Sequence, residues 1–303
     1  MNFAFLFPGQ GSQFPGMGAE YIRNFPFITD YYTEANDILG YNILELSQHG
    51  PEEELNLTAN AQPAILILSY CSYQILNKET GIKPFLMAGH SLGEISALCC
   101  SGAISFPDAV KIVRKRGELM QQAVNNNNGA MLAINGLQPE EIEKLCNSDE
   151  FTGKVVISNI NSKSQVVISG ERNGVEIIGN HAKNFGAVTV PLKVSAPFHS
   201  PLMQPAAVEL ESELTKYSYK ELTCPVLSNV TCKPYMDKND IIPLLTEQVT
   251  TTVNWIKIME YIRKTPIQTT IEMLPKKTLT RFFLGQKYNI SSLSFEQVEE
   301  IRK

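Results

Sequence analysis

A serine flanked by glycines carries the strongest chemical signal in this sequence of 303 residues. The segment Gly89-His90-Ser91-Leu92-Gly93 follows an apolar run typical of a buried strand, and a helix-like stretch begins at Glu94. This is the G-x-S-x-G nucleophile elbow, in which a tight strand-to-helix turn exposes a serine hydroxyl. Glycines suit such a turn because backbone must approach backbone, and the free N–H groups of the helix can stabilise an oxyanion. We therefore predict that Ser91 is a nucleophile.

A serine nucleophile needs a base, and imidazole is the usual one because its pKa lies near ~6.5. The sequence contains four histidines. His49 lies in a loop, and His181 lies in a helix with no other chemical group nearby, whereas His90 is inside the elbow. His199 follows Pro197 and Phe198 at the junction of two segments, a position typical of a cleft between domains. We predict that His199 is the base, although a lone histidine is more often a surface residue.

Arg116 is a candidate ligand-binding cation. It lies on a helix predicted from residue 106 to about residue 124, spaced by four from Ile112 and Met120, so it shares their apolar face. One interpretation is a guanidinium that extends to solvent or pairs with a buried carboxylate. The other is a guanidinium held to capture the carboxylate or phosphate of a ligand. The spacing alone leaves both open.

The first strand, at residues 3–7, leads into a glycine-rich loop that carries Gln10 and Gln13. Loops at the ends of such strands place ligand-binding groups in α/β folds, and amide side chains can donate hydrogen bonds there. The alternative is a plain turn without chemistry. The loop sequence alone leaves both interpretations open.

The order of predicted elements indicates two regions. Residues 126 to about 195 alternate as β-α-β-β-α-β, which is the ferredoxin-like pattern. The asparagine run at residues 125–128 is typical of a turn and marks the boundary before this segment. We therefore predict a large catalytic domain from residues 1–125 and 200–303, with a small subdomain at 126–199.

The composition excludes several classes of protein. A net charge of -5 gives no support for nucleic-acid binding, and the apolar runs are too short to span a membrane. The six cysteines form no C-x-x-C pair and no cluster with histidine, so we expect free thiols in the cytoplasm and no metal site. Basic residues could dock an acidic partner or simply lie on a solvated surface: Lys111, Arg114, Lys115, Lys276, Lys277 and Arg281.

Taken together, these motifs resemble the malonyl-CoA:acyl-carrier-protein transacylases, including the acyltransferase components of fatty-acid and polyketide synthases. The resemblance runs essentially end to end. The motifs that carry it, in chain order, are residues 7–13 (FPGQGSQ), 89–94 (GHSLGE), 116–117 (RG) and 198–199 (FH).

The resemblance implies an α/β-hydrolase-like large domain, an inserted ferredoxin-like subdomain and a ping-pong reaction through an acyl-serine. Malonyl-CoA and a phosphopantetheinylated acyl carrier protein would be the substrates, with no cofactor and a monomeric chain. The implied roles are Ser91 as nucleophile, His199 as base oriented by a backbone carbonyl near Gln248, Gln10 and the Leu92 N–H as oxyanion donors, Arg116 as carboxylate clamp, and Phe198, His90 and Asn161 as substrate contacts.

Some features distinguish branches of this family. Phe198 resembles the malonyl-selective polyketide branch, whereas Pro197 is more similar to the fatty-acid branch. Leu274-Pro275-Lys276 replaces the Gly-Pro-Gly turn that is frequent in the family. Residues 113–120 (VRKRGELM) and 229–235 (NVTCKPY) resemble the free-standing acyltransferases that serve polyketide synthases in trans. We therefore favour supply of a polyketide synthase in trans, with fatty-acid synthesis as the alternative. A proofreading acyl hydrolase and a non-catalytic partner in a synthase assembly are the other two hypotheses.

Overall fold

The computed structural model describes residues 1–123, 128–194 and 196–301. The predicted turn at 125–128 and the exit at Ser195 therefore lie largely outside the described residues. Within the described ranges, no helix combines the length and the apolar composition that crossing a membrane requires.

The strands are β1 (Phe3–Phe7), β2 (Pro84–Gly89), β3 (Gly129–Asn135), β4 (Val155–Ser162), β5 (Gln165–Glu171), β6 (Val188–Pro191), β7 (Val226–Leu227), β8 (Val253–Asn254), β9 (Thr269–Glu272) and β10 (Ser291–Ser294).

The helices are α1 (Ala19–Asn24), α2 (Thr29–Leu39), α3 (Ile43–His49), α4 (Glu52–Asn56), α5 (Thr58–Thr80), α6 (Leu92–Cys100), α7 (Phe106–Gln122), α8 (Pro139–Cys146), α9 (Arg172–Asn184), α10 (Gln204–Leu214), α11 (Ile241–Gln248), α12 (Trp255–Arg263), α13 (Thr278–Gly285) and α14 (Phe295–Ile301).

The first sheet is parallel and holds the strands in the order β10-β9-β1-β2-β7. Helices cover both faces, so β1 and β2 are apolar over almost their whole length rather than alternating. Their carboxyl ends lie side by side, because Phe7 is paired with Gly89. The loop after β1 and the elbow after β2 therefore meet at one edge of the sheet, where α/β folds bind ligands.

The second sheet has the order β6-β3-β5-β4-β8. Its first four strands, with α8 and α9, form the predicted β-α-β-β-α-β unit around a core of its own. The fifth strand, β8, comes from the carboxyl-terminal region and pairs in parallel with β4. The sequence did not predict β8, because two residues carry no periodicity. The predicted fold class, α/β-hydrolase-like with a ferredoxin-like subdomain, is confirmed.

Helix α5 contains a proline in its interior, a position that helices rarely tolerate. Pro63 suits the start of a helix, yet α5 begins at Thr58 and contains Pro63 in its interior. Proline has no N–H for the carbonyl of Ala59, four residues earlier. The Nη1 of Arg114 donates to that carbonyl at 3.1 Å. The tertiary contact thus satisfies the acceptor that the proline leaves free, and the helix continues.

Candidate active site

Ser91 occupies the turn between β2 and α6 with φ of 52° and ψ of -108°. Positive φ is unfavourable for a serine, so the surrounding structure must hold this conformation. Asn229 does so: its Oδ1 accepts from the Ser91 N–H at 2.7 Å, and its Nδ2 donates to the Gly89 carbonyl at 2.7 Å. The strained elbow predicted from G-x-S-x-G is present.

The glycines of the elbow are required by space. A Cβ on Gly93 would lie 2.0 Å from the carbonyl oxygen of Phe7, and one on Gly89 would lie 1.9 Å from the backbone of Gly93. Both distances are far inside van der Waals contact with backbone, which cannot move aside as a flexible side chain can. The close approach of β1, β2 and α6 therefore depends on these two glycines.

We predict that Gly93→Ala lowers the free energy of unfolding by about 1–3 kcal/mol, because the new methyl group forces β1 and α6 apart. Chemical denaturation followed by circular dichroism measures this change. Gly285→Ala is the matched control for adding a methyl group at a glycine, since Gly285 also lies in a helix and nothing lies within 4 Å of its Cβ position. This control should leave the free energy of unfolding nearly unchanged. An equal free energy of unfolding for Gly93→Ala and the unsubstituted chain would contradict the steric requirement.

The hydroxyl of Ser91 lies 2.8 Å from Nε2 of His199, and Nδ1 of His199 lies 2.8 Å from the carbonyl oxygen of Gln248. A carbonyl only accepts, so Nδ1 carries the proton and Nε2 offers its lone pair to the serine. Burial lowers the pKa of His199 to about 3, and the nearby positive charge of Arg116 acts in the same direction. His199 is thus a neutral imidazole in the tautomer that a base requires.

Arg116 is 1% exposed and reaches the same hydroxyl, with Nη2 donating to Ser91 Oγ at 3.2 Å. Its other partners are neutral amides: Nη1 donates to Oε1 of Gln62 and Nη2 to Oε1 of Gln248, each at 2.9 Å. Among the described residues, Arg116 forms no ion pair within 4.0 Å. Burial lowers its pKa to about 10, so the guanidinium remains charged at neutral pH. Its charge is free to meet a ligand carboxylate.

Gln10 and Leu92 both line the cavity above Ser91. The side chain of Gln10 turns away and donates from Nε2 to Oγ1 of Thr58 at 3.2 Å. The side-chain amide of Gln10, on which the sequence argument relied, is thus engaged with Thr58. Leu92 is the first residue of α6, so its backbone N–H has no acceptor within the helix.

The remaining predicted contacts lie at different depths. Phe198 and His90 line the cavity. Asn161 does not line the cavity but contacts His90, with its Oδ1 lying 3.0 Å from Nε2 of that ring. Asn159 lines the cavity instead. Burial lowers the pKa of His90, so this imidazole is neutral and donates to Asn161. Asn161 therefore orients the His90 ring by a hydrogen bond.

The cavity has a volume of about 330 Å³ and opens between the two sheets. Lys193 and Lys276 lie in its lining, and Nζ of Lys276 donates to the carbonyl oxygen of Gly11 at 3.3 Å. Of the other basic residues singled out above, Arg114 pairs with Glu118 at 2.7 Å and supports α5. Arg114 is therefore engaged within the fold. In the described ranges, no group of three or more His, Cys, Asp or Glu side chains could hold a metal ion.

The sequence argument missed three residues that complete this site. Gln62 accepts a hydrogen bond from Arg116, and Asn229 accepts one from the N–H of Ser91 in the elbow. Glu94 is a fully buried carboxylate in the first turn of α6. Only Glu94 had a signal, because it ends the GHSLGE segment. Gln62 and Asn229 are ordinary polar residues whose partners are far away along the chain.

A parallel sheet with a nucleophile elbow and a serine–histidine pair is typical of enzymes that carry an acyl group on a serine. The model of the acyl transferase domain family matches residues 4–275, and the chain belongs to this family. It is similar to the malonyl CoA-acyl carrier protein transacylase of Escherichia coli K12, with 44% identity over 281 residues covering 92% of this chain and 91% of the relative. The protein of that name from Bacillus subtilis strain 168 is 43% identical over 302 residues, covering 99% and 95%.

Solved structures show the same relationship. A malonyl-transacylase in complex with a type II PKS acyl-carrier protein has a TM-score of 0.96 and 38% identity, covering 99% of this chain and 100% of that one. The malonyl CoA-acyl carrier protein transacylase of Coxiella burnetii has a TM-score of 0.96 and 39% identity, covering 100% and 96%. The family predicted from the motifs is confirmed.

Proposed function

We propose that this chain transfers a malonyl group from malonyl-CoA to the phosphopantetheine thiol of an acyl carrier protein, through an ester on Ser91. One observation carries the proposal: the hydroxyl of Ser91 lies between Nε2 of His199 at 2.8 Å and the Nη2 of Arg116 at 3.2 Å. The first contact activates a nucleophile, and the second brings a cation to the place where an acyl group would lie. The names of the curated relatives support the same substrates.

In the first half-reaction, the Ser91 oxygen attacks the thioester carbonyl while its proton passes to Nε2 of His199. The backbone N–H groups of Gln10 and Leu92 stabilise the oxyanion of the tetrahedral intermediate. The carbon–sulfur bond then breaks, the coenzyme A thiol leaves with the proton from His199, and malonyl-Ser91 remains. In the second half-reaction, the carrier thiol gives its proton to His199 and attacks the ester carbonyl. The bond from the acyl carbon to the Ser91 oxygen then breaks, and His199 returns the proton to that oxygen, which regenerates the hydroxyl and the neutral imidazole.

The roles of the other residues follow from their contacts. Arg116 binds the free carboxylate of the malonyl group, and the carbonyl of Gln248 holds His199 in the required tautomer. Phe198 and His90 border the acyl group from the cavity wall, and Asn161 orients His90. The chain itself supplies nucleophile, base and oxyanion donors, so we propose that it needs no cofactor beyond the thioester substrate.

We also propose that residues 1–125 and 200–303 act as the catalytic domain and residues 126–199 as a subdomain that covers the cleft. The separate apolar core of the second sheet supports this division, although β8 adds a strand from the catalytic segment. The six free cysteines fit a reducing compartment, and we propose the cytoplasm.

Both carrier classes remain candidates for the acceptor. The solved relative bound to a type II PKS acyl-carrier protein supports a polyketide carrier, and the curated relatives support fatty-acid synthesis equally well. The chemistry is common to both, because each carrier presents a phosphopantetheine thiol. Comparing second-half rates with a carrier of each class separates the two.

Intact-mass spectrometry tests the proposal. Incubation with malonyl-CoA should add one malonyl group to the chain, and a phosphopantetheinylated carrier should then remove it and gain the same mass. Ser91→Ala is the control and should gain nothing. An adduct lost to water as fast as to carrier would identify a hydrolase, and a chain that never acquires an adduct would be a non-catalytic partner. Either result would contradict the proposal.

A further inference from the structure

Glu94 is a buried carboxylate that the reaction described above does not use. It is 0% exposed and lies in α6, three residues beyond Ser91. Its oxygens accept three hydrogen bonds: Oε1 from the Tyr235 hydroxyl, and Oε2 from Nε2 of Gln248 at 2.6 Å and from the N–H of Asn229 at 3.0 Å. All three partners donate, which is the arrangement that suits an ionised carboxylate.

Two of these partners bind the nucleophile segment directly. Nε2 of Gln248 also donates to the carbonyl oxygen of Ser91 at 3.0 Å, and Asn229 accepts from the Ser91 N–H. Glu94 therefore anchors the side chain of Gln248 and the backbone of Asn229, the two residues that hold the peptide groups on either side of the nucleophile. This matters because the φ of 52° at Ser91 is unfavourable without such support.

Gln248 also connects Glu94 with Arg116. An amide has a donor end and an acceptor end, and a carboxylate accepts only, so the NH₂ of Gln248 must face Glu94. Its Oε1 consequently faces Arg116 and accepts from Nη2 at 2.9 Å. If the amide flipped, two donors would face each other at Arg116, and two acceptors would face each other at Glu94. The ionised carboxylate thus determines which way the amide points.

This arrangement also explains why Arg116 can bind a ligand. A carboxylate in direct contact would occupy the guanidinium and compete with malonyl, whereas an amide leaves the charge unpaired. Glu94 still stabilises the charged form of Arg116, although the Gln248 amide lies between them. Its negative charge raises the pKa of the guanidinium, whereas burial lowers it. The buried charges of the site are balanced without an ion pair.

We propose that Glu94 is a positioning residue for malonyl selectivity, acting through the side-chain amide of Gln248 on Arg116 and through Asn229 on the nucleophile elbow. The inference rests on the proposed function, because it concerns the preference of that site for an acyl group ending in a carboxylate. Glu94 touches no substrate in this scheme.

The test compares kcat/KM for loading from malonyl-CoA and acetyl-CoA in Glu94→Gln. Burial raises the pKa of Glu94 to about 7, so assays at pH 8 keep the native carboxylate ionised. Glutamine has the same shape, but its amide can present either a donor or an acceptor to Gln248. It therefore no longer fixes the orientation of the Gln248 amide, and it removes the negative charge that stabilises the Arg116 guanidinium. We expect the malonyl-to-acetyl ratio to fall about tenfold or more, whereas a purely structural role would lower both rates equally.

Glu272→Gln is the matched control for loss of a buried carboxylate. Glu272 is also 0% exposed and accepts from the N–H groups of Leu279 and Thr280, outside the cavity. Its substitution should lower thermal stability and leave the malonyl-to-acetyl ratio unchanged.

Gln248→Met gives a second route should Glu94→Gln fold poorly. It removes the connecting amide and keeps the backbone carbonyl that holds His199. The malonyl-to-acetyl ratio of Gln248→Met should also fall. In the double variant this ratio should fall no further than in the more affected single variant, because both substitutions act through the Gln248 amide. An unchanged ratio in a folded Glu94→Gln or in Gln248→Met, or additive losses in the double variant, would overturn the inference alone. Absence of malonyl preference in the unsubstituted chain would contradict the proposed function and the inference together.

Discussion

Replacing His199 by alanine is expected to slow the acylation of Ser91 by malonyl-CoA roughly 10²–10⁴-fold, the range over which a positioned base accelerates proton transfer. The serine hydroxyl would keep its contact with Arg116, which donates to the oxygen and cannot remove its proton. Stopped reactions analysed by intact mass measure the rate of adduct formation. The residual rate should come from the oxyanion donors and from binding.

His181→Ala is the matched control for this substitution. His181 lies on the exposed side of α9, in the ferredoxin-like segment, and it does not line the cavity. Its replacement should leave the acylation rate unchanged. If His199→Ala retained the full rate, another group would have to accept the serine proton, and the proposed mechanism would fail.

The protonation state of His199 can be observed directly. Because burial and the charge of Arg116 lower its pKa to about 3, we expect a neutral imidazole with the proton on Nδ1 at pH 6. An ordinary histidine, with a pKa near ~6.5, would be mostly charged there. Nitrogen-15 spectra of histidine-labelled protein distinguish the two forms, and the His199→Ala spectrum identifies the signal. Arg116→Ala should raise this pKa, since it removes a repelling cation. A charged His199 at pH 6 would contradict the described electrostatics.

Replacing Arg116 by alanine is the second large effect. We expect kcat/KM for malonyl-CoA to fall roughly 100-fold or more, because a malonyl carboxylate would enter a buried site without its cation, at a cost of about 3–5 kcal/mol. Acetyl-CoA has no such carboxylate, so its loading should fall far less. The malonyl preference should therefore narrow by about two orders of magnitude. Competition between the two donors, read by the masses of the adducts, measures the preference.

Arg114→Ala is the control for loss of an arginine from the same helix. Arg114 pairs with Glu118 and supports α5 at Asn60 and Ala59, away from the cavity. Its loss should lower stability and preserve the malonyl preference. Thermal unfolding of both variants separates a general loss of structure from a change in selectivity. Equal loading of malonyl and acetyl groups by the unsubstituted chain would contradict the role of Arg116.

Much of this site could be predicted from local sequence. The elbow at Ser91 depends on a strand, a tight turn and a helix that are contiguous in the chain, so the glycine spacing is sufficient to indicate it. The buried position of Arg116 follows from helical periodicity over four residues on each side. The β-α-β-β-α-β unit is also a local succession, and its order predicted the second sheet. The family resemblance added the roles that these patterns alone left open.

Other features were decided only by the tertiary structure. Periodicity indicates that a face is buried but does not say which residue it meets, so the partners of Arg116 could not be read from α7. Gln62 and Gln248 reach it from positions 54 and 132 residues away. For the same reason the sequence did not distinguish a guanidinium paired with a carboxylate from one held by neutral amides.

The direction in which a side chain points could not be predicted from the sequence either. The glutamine loop follows β1 and lines the cavity, yet the side chain of Gln10 donates to Thr58. Glu94 appears in the elbow motif, but its significance depends on Asn229, Tyr235 and Gln248, which are more than 130 residues away. Local sequence determines the turn that exposes Ser91, because backbone sterics act between neighbours. The charges and amides that make this serine selective are brought together only by folding, because hydrogen bonds between distant segments form when those segments pack.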